Sequence, residues 1–288
     1  MKIVVTGGSG FVGSHVADEL SRRGHKVTIF DKNKSKWIRP DQKMYQGDIL
    51  NKMDLDRAIK GTDAVFHFAA LADMDESIKK PIETANINIF GTVLTLEACR
   101  RHKIKRFIHA STIYVNSKDG GFYRCSKKAA EEYVEEYHNT FGISYTILRF
   151  GSLYGERADD TNGVTSIIKR AIKTGILSYL GSKNSVREYI HVKDAAKASA
   201  GILKKKFRNQ YIILTGKEKI KFYDLLKILA NILKIKKKIK FLNKKLLGHY
   251  IISPFTYKFK NGKKFTLSSN VNFKDGLLDL IQTIKKKN

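Results

Sequence analysis

A glycine loop between a strand and a helix constrains this chain more than any other feature. Lys2–Thr6 is a short β-branched run, and Gly7-Gly8-Ser9-Gly10-Phe11-Val12-Gly13 follows it directly. Glycines 7, 10 and 13 give a G-x-x-G-x-x-G spacing. Residues 13–23 then show helical periodicity, with Val16 and Leu20 on one face. The turn needs glycine dihedrals, and the missing side chains let a dinucleotide pyrophosphate approach the backbone. Its charge then rests at the helix N-terminus. Gly13 permits tight helix–sheet packing. Residues 26–30 read as a second strand. Asp31 at its end is placed to accept from a ribose 2′-hydroxyl, which favours NAD over NADP, although Lys32 beside it pulls the other way.

The alternation continues along the chain. Residues 55–60 suggest a short helix, 64–69 a third strand, 87–101 a long helix and 106–110 a fourth strand. Residues 123–141 are helical, and Ser144–Phe150 is a fifth strand. Strands joined by helical crossovers predict an α/β fold: a Rossmann-type, doubly wound parallel sheet. After Gly151 the pattern loosens. Helices are predicted over 164–174, 194–203, Phe222–Leu233 and 273–284, with extended pieces at 187–192 and 211–214. There is no internal repeat and no Pro/Gly/Ser linker. The predicted division is a dinucleotide-binding domain over 1–150 and a smaller, mainly substrate-binding lobe over 151–288. The two are interleaved, with some later segments returning to the sheet.

Composition narrows the class. Of 288 residues, 42% are hydrophobic, enough for a sizeable core. No apolar run approaches the ~20 residues that span a bilayer. The apolar start runs straight into the glycine loop and reads as a strand, not as a signal peptide, so a cytoplasmic protein is expected. Cys99 and Cys125 lie in no metal-like or CxxC spacing, so neither a disulfide nor a metal site is expected. The net charge of +28 attracts polyanions. Lysine outnumbers arginine, the charges are spread along the chain, and no nucleic-acid motif accompanies them. No specific nucleic-acid partner is therefore expected.

Tyr123 and Lys127 stand four apart on a predicted helix, hence one turn apart on one face. The lysine charge lowers a neighbouring phenol pKa, and a tyrosinate is a competent base for a sugar hydroxyl. Ser111 and Thr112 close the fourth strand, at the carboxyl end where ligands bind in such sheets.

Taken together, several stretches resemble the extended short-chain dehydrogenase/reductases, specifically the nucleotide-sugar epimerase/dehydratase group. They are TGGSGFVG (6–13), GDI (47–49), HFAALADMDES (67–77), NINIFGT (86–92), RFIHAST (106–112), YRCSK (123–127), LRFGSLYGER (148–157) and REYIHVKD (187–194). The resemblance implies that Gly7, Gly10, Phe11, Val12 and Gly13 hold the pyrophosphate of NAD. It implies Asp31 on the adenosine ribose, Asp48 and Ile49 on the adenine, and Ala69, Ala70 and Asn88 along the cofactor. Thr112, Tyr123 and Lys127 would form the catalytic triad, with Lys127 also touching the nicotinamide ribose. Ala72, Thr112, Ser152 and Arg187 would contact a nucleotide-sugar substrate, with Arg187 gripping its diphosphate through a fixed fork.

Departures from the family pattern narrow the chemistry. Dehydratases resemble a pattern with Asp-Glu after the catalytic Thr, and decarboxylating members want a Glu there; this chain has Ile113 and Tyr114. The reducing epimerases have a Cys at the first of these positions. What remains is an NAD-dependent epimerase, at C4, with a 4-keto-sugar reductase and a non-catalytic NAD-binding regulator as alternatives. Val115-Asn116-Ser117 replaces the usual Val-Tyr-Gly, Ser152 replaces an Asn, and the stretch from 112 to 123 is short. The resemblance also implies a homodimer built on the helices at 87–101 and 123–141, through Val93, Leu96, Val134 and Tyr137 if these are not core. It suggests a cell-surface polysaccharide route. In the basic stretch 236–264, Tyr250, Phe255 and Tyr257 either cover a nucleotide base or pack in a helical lid.

Overall fold

The computed structural model describes residues 1–236, 239–242, 263–266 and 269–286. Its centre is an eight-stranded parallel sheet. The strands are β1 (Lys2–Thr6), β2 (Lys26–Asp31), β3 (Lys43–Gln46), β4 (Ala64–His67), β5 (Arg106–Thr112), β6 (Ser144–Phe150), β10 (Gln210–Leu214) and β13 (Lys263–Lys264). Their order is β13-β10-β6-β5-β4-β1-β2-β3. The chain moves outward from β1 in one direction, then returns to β4 and moves the other way. The crevice at the carboxyl ends of β1 and β4 is therefore the switch point where ligands bind in doubly wound sheets. Thr6 and His67 face each other in register at that point.

Helices α1 (Phe11–Arg22), α2 (Lys52–Ile59), α5 (Gly91–Arg101) and α6 (Gly121–Phe141) cover the sheet. The strands are buried on both faces and read as continuous apolar runs: Val65, Phe66, Phe107 and Ile108 are all fully buried. Val16 and Leu20 pack in the core with Ile3 and Val5, as their helical spacing predicts.

The chain after residue 151 returns to this sheet. Strand β10 pairs with β6, and β13 with β10. Helix α8 (Val192–Gly201) packs on α1, so Ala195, Ala196 and Ala198 share a core with Ile3 and Val5. The remainder builds a separate core. Strands β7 (Ser152–Tyr154), β9 (Val186–His191) and β11 (Lys219–Lys221) form a small sheet, and β8 (Ser178–Tyr179) pairs with β12 (Lys240–Phe241). Helices α7 (Gly163–Thr174), α9 (Phe222–Leu233) and α10 (Phe273–Lys285) pack beside them. In α9 the i, i+3, i+4, i+7 set Phe222, Leu225, Leu226 and Leu229 is entirely buried.

The structure adds one strand and corrects two expected elements. Lys43–Gln46 is a strand that its sequence, Lys-Met-Tyr-Gln, does not announce; it is half-exposed, at the sheet edge. The strand expected over 64–69 ends at His67, and the next residues turn into the crevice. The helix expected over 87–101 starts earlier and is not uniform. Helices α3 (Met74–Lys79) and α4 (Pro81–Ala85) precede a π-helical turn, Asn86–Phe90, which runs into α5.

Replacing Leu229 by Ala removes three buried carbons from the second core. We expect a loss of about 2–5 kcal/mol in unfolding free energy, measured by urea titration.

Candidate active site

The crevice is a single cleft of about 1690 Å³ that begins at the glycine loop and ends in the second core's sheet. This exceeds the roughly 300–1,000 Å³ of an ordinary single-ligand pocket, leaving room for two ligands side by side.

At one end, Gly7 has φ +69°, and its amide donates to Phe30 O at 2.9 Å. A Cβ on Gly7 would lie 2.5 Å from Ala69 N, and one on Gly13 would lie 2.2 Å from Gly7 O. The loop, β4 and α1 can meet only because those atoms are missing. Gly10, the residue before α1, offers no side-chain cap, and the first turn contains no acidic residue. The helix amides and dipole are thus left for an anion. Asp31 braces the loop: its carboxylate accepts from Ser9 N at 3.1 Å and from Asn33 N at 2.9 Å. Asp31 also lines the cleft. Asp48 accepts from Leu50 N at 2.8 Å, and Ile49 packs against Gly91. This cradle fits a dinucleotide.

Thr112, Tyr123 and Lys127 line the middle of the same cleft. Thr112 Oγ1 accepts from Tyr114 N at 3.3 Å, so its own proton remains free to donate. Ser111 is committed elsewhere: it donates to Glu131 at 2.6 Å, and Glu131 is held by Arg149 at 2.7 Å. Of the two hydroxyls at the strand end, Thr112 is the one left for a ligand. Lys127 is 2% exposed, and burial pushes its ammonium down to about 8, opposed by the charge of Glu131. The buried rings of His67 and His109 stack 5.6 Å apart, centroid to centroid. Burial, then the Lys127 charge, holds His67 down to about 3; the same causes and His67 itself depress His109, so both rings are neutral. Tyr123 departs from expectation. Burial raises its phenol pKa.

Beyond the triad, Ala69, Ala70, Ala72, Ser152 and Arg187 all line the cleft, as do Phe11, Val12 and the glycines 7, 10 and 13. Arg187 is 5% exposed, donates to Val186 O at 2.9 Å and lies 5.7 Å from the Phe222 ring. Asn88 is the exception. It lies outside the cleft lining, fully buried, its amide spent on Leu71 and Ser126. Sequence reasoning missed Tyr179 and Phe222, whose rings stack 3.7 Å apart in the lining of the cleft, beside Arg187. Nothing local signals that pair: one partner sits in a two-residue strand and the other starts a helix. Tyr250, Phe255 and Tyr257 lie outside the described residues. No helix among the described residues is long and apolar enough to cross a membrane, and the described residues contain no cluster of three or more His, Cys, Asp or Glu side chains placed to hold a metal ion.

Fold and cleft together define a dinucleotide-binding enzyme class. Residues 3–213 match the NAD dependent epimerase/dehydratase family, and the chain belongs to it. It is 34% identical over 240 residues to a protein of Methanocaldococcus jannaschii provisionally named UDP-glucose 4-epimerase, covering 75% of this chain and 77% of that one. It is 30% identical over 249 residues to a trifunctional UDP-glucose 4,6-dehydratase, epimerase and reductase of Arabidopsis thaliana, covering 75% of this chain but 37% of that one. Among solved structures, the UDP-glucuronic acid 4-epimerase of Bacillus cereus, in complex with UDP-glucuronic acid and NAD, superimposes with a TM-score of 0.87. It is 25% identical, with 100% of both chains covered.

The Lys127 shift sets a pH dependence of stability. Its folded-state pKa lies below the unfolded value of 10.5, so between about pH 8 and 10.5 the unfolded chain binds more protons and stability rises with pH. Lys127→Met removes the buried charge. Thermal scans without ligand should show the variant melting above the wild type at neutral pH, with the gap closing as pH approaches 10.

Proposed function

We propose that this chain is an NAD-dependent epimerase of a nucleotide-activated sugar, acting at C4 through a transient keto sugar. One observation carries the reading. Thr112, Tyr123 and Lys127 share a cleft with the glycine loop, and the positions after Thr112 hold Ile113 and Tyr114 in place of carboxylates. Without those carboxylates, oxidation at C4 has no acid–base pair to drive loss of water or carbon dioxide. The relatives named as 4-epimerases support the same reading.

In this reading Gly7, Gly10, Phe11, Val12 and Gly13 cradle the pyrophosphate, Asp31 the adenosine ribose, and Asp48 with Ile49 the adenine. Ala69 and Ala70 form the cofactor wall. Ala72, Ser152 and Arg187 hold the nucleotide sugar, with residues 151–288 supplying most of the substrate lobe. When bound, NAD would supply the hydride acceptor and, while oxidised, a positive charge. Tyr123 takes the C4 hydroxyl proton and later returns it. The Lys127 ammonium stabilises the tyrosinate. Thr112 donates to the keto oxygen. The keto sugar turns over between the two steps, so both faces of C4 meet the same groups. Net redox is zero, so the cofactor stays bound.

Proton NMR in heavy water tests this, with UDP-, GDP- and dTDP-sugars and no added reductant. The expected result is a new epimer with no deuterium at C4. Deuterium at C3 or C5 would overturn the mechanism, and silence until a 4-keto sugar and NADH are added would indicate a reductase. Tyr123→Phe should lose about 10²–10⁴-fold in turnover while retaining NAD through desalting.

We also propose a cytoplasmic homodimer. Both cysteines are free thiols, which suits a reducing compartment. Leu96 and Val134 are core residues, and Tyr137 bonds Glu97. The surface of the paired helices instead offers exposed Phe90, Phe122 and Tyr133. Light scattering should give twice 32.8 kDa, and Tyr133→Glu should shift it toward the monomer.

A further inference from the structure

A run of buried polar side chains joins the glycine-loop strand to the helix that carries Tyr123 and Lys127. Thr6, His67, Asn88 and Thr92 are fully buried, and Ser126 is 3% exposed. The direction of each bond follows from its donors. Thr92 donates its hydroxyl proton to Asn88 O at 2.7 Å, so it accepts from His67 Nε2 at 3.1 Å. That proton is the one a neutral imidazole carries, which leaves Nδ1 bare to accept from Thr6 Oγ1 at 2.8 Å. Thr6 Oγ1 accepts in turn from Ala69 N at 3.4 Å.

The run continues through Asn88. Its Oδ1 accepts from Leu71 N at 2.8 Å, and its Nδ2 donates to Leu71 O and to Ser126 Oγ, both at 2.9 Å. Ser126 passes its own proton to Tyr123 O at 2.9 Å. Every proton on these side chains has one acceptor, so no alternative arrangement satisfies the set. The π turn supplies the geometry. Gly91 N reaches back five residues to Asn86 O, and Asn88 sits inside that widened turn. Such turns are rare and concentrate at functional sites.

We propose that Ser126 is a positioning residue for the epimerisation. Through its bonds to Asn88 and Tyr123 O it ties the start of α6, and with it Tyr123 and Lys127, to the cleft wall at residues 69–71. The proposal rests on the functional reading above for its kinetic arm only. The Ser126 side chain does not line the cleft, so its loss should spare binding and disturb the placement of the proton-transfer groups.

The experiment compares Ser126→Ala, which removes the amide's acceptor, and Ser126→Thr, which keeps a hydroxyl, with the wild-type chain. For Ser126→Ala we expect kcat to fall on the order of tenfold and its pH profile to shift, because sub-ångström misplacement of reacting groups is enough for such a loss. KM and NAD affinity, measured by titration, should stay within about twofold, and Ser126→Thr should recover most of kcat. Crystal structures of the same variants form an arm that needs no turnover. Tyr123 should move relative to Leu71 in Ser126→Ala and stay in place in Ser126→Thr. An unmoved Tyr123, an unchanged kcat, or equal losses in kcat, NAD affinity and thermal stability would each overturn the proposal. A wild type that epimerises no sugar would instead defeat the functional reading, with the structural arm still deciding the positioning role.

Discussion

The contact between Gly13 and the Gly7 carbonyl is the constraint from which the rest of this structure follows. Helix α1 approaches the end of β1 so closely that a single methyl group at either position would collide with backbone. That approach aims the uncapped start of α1 into the crevice between β1 and β4. It also presses Gly7 against Ala69, which fixes where the chain leaving β4 forms the cleft wall. A backbone surface of this kind suits a ligand whose charge is spread over a pyrophosphate, because many weak dipoles share the task that one lysine would otherwise perform.

The chemistry at the other end of the cleft is set by desolvation. Lys127 carries a charge into a nearly waterless place, and the neighbouring groups are arranged so as not to quench it. His67 and His109 are neutral, and Glu131 is spent on Arg149 and Ser111. The charge is therefore left to act on whatever anion forms nearby, such as a tyrosinate. Burial raises the Tyr123 phenol for the same reason. Lysine and tyrosine are displaced in opposite directions from their ordinary values, each toward its neutral form.

Much of this was legible in the chain because it is local. Glycine spacing, strand–helix alternation and the four-residue step from Tyr123 to Lys127 all act within a few residues, where period and steric rules hold. The same is true of α9, whose apolar positions alone define its buried face. Strand β3 escaped notice because an exposed edge strand needs no apolar alternation. The π turn escaped because its residues are ordinary helix formers, and only the bond from Gly91 to Asn86 distinguishes it.

By itself, the sequence determined the doubly wound sheet, the dinucleotide loop, the family, and the Thr112, Tyr123 and Lys127 set, since each is written in short-range pattern. Only the tertiary structure decided that Asn88 braces the wall without touching the cleft, that Ser111 is spent on Glu131 while Thr112 keeps a free proton, and that Tyr179 stacks on Phe222. It likewise decided that burial governs both Tyr123 and Lys127. The physical reason is common to all four. Hydrogen-bond partners and dielectric surroundings come from residues far apart in the chain, and no local rule specifies which of several polar groups will be consumed and which left free.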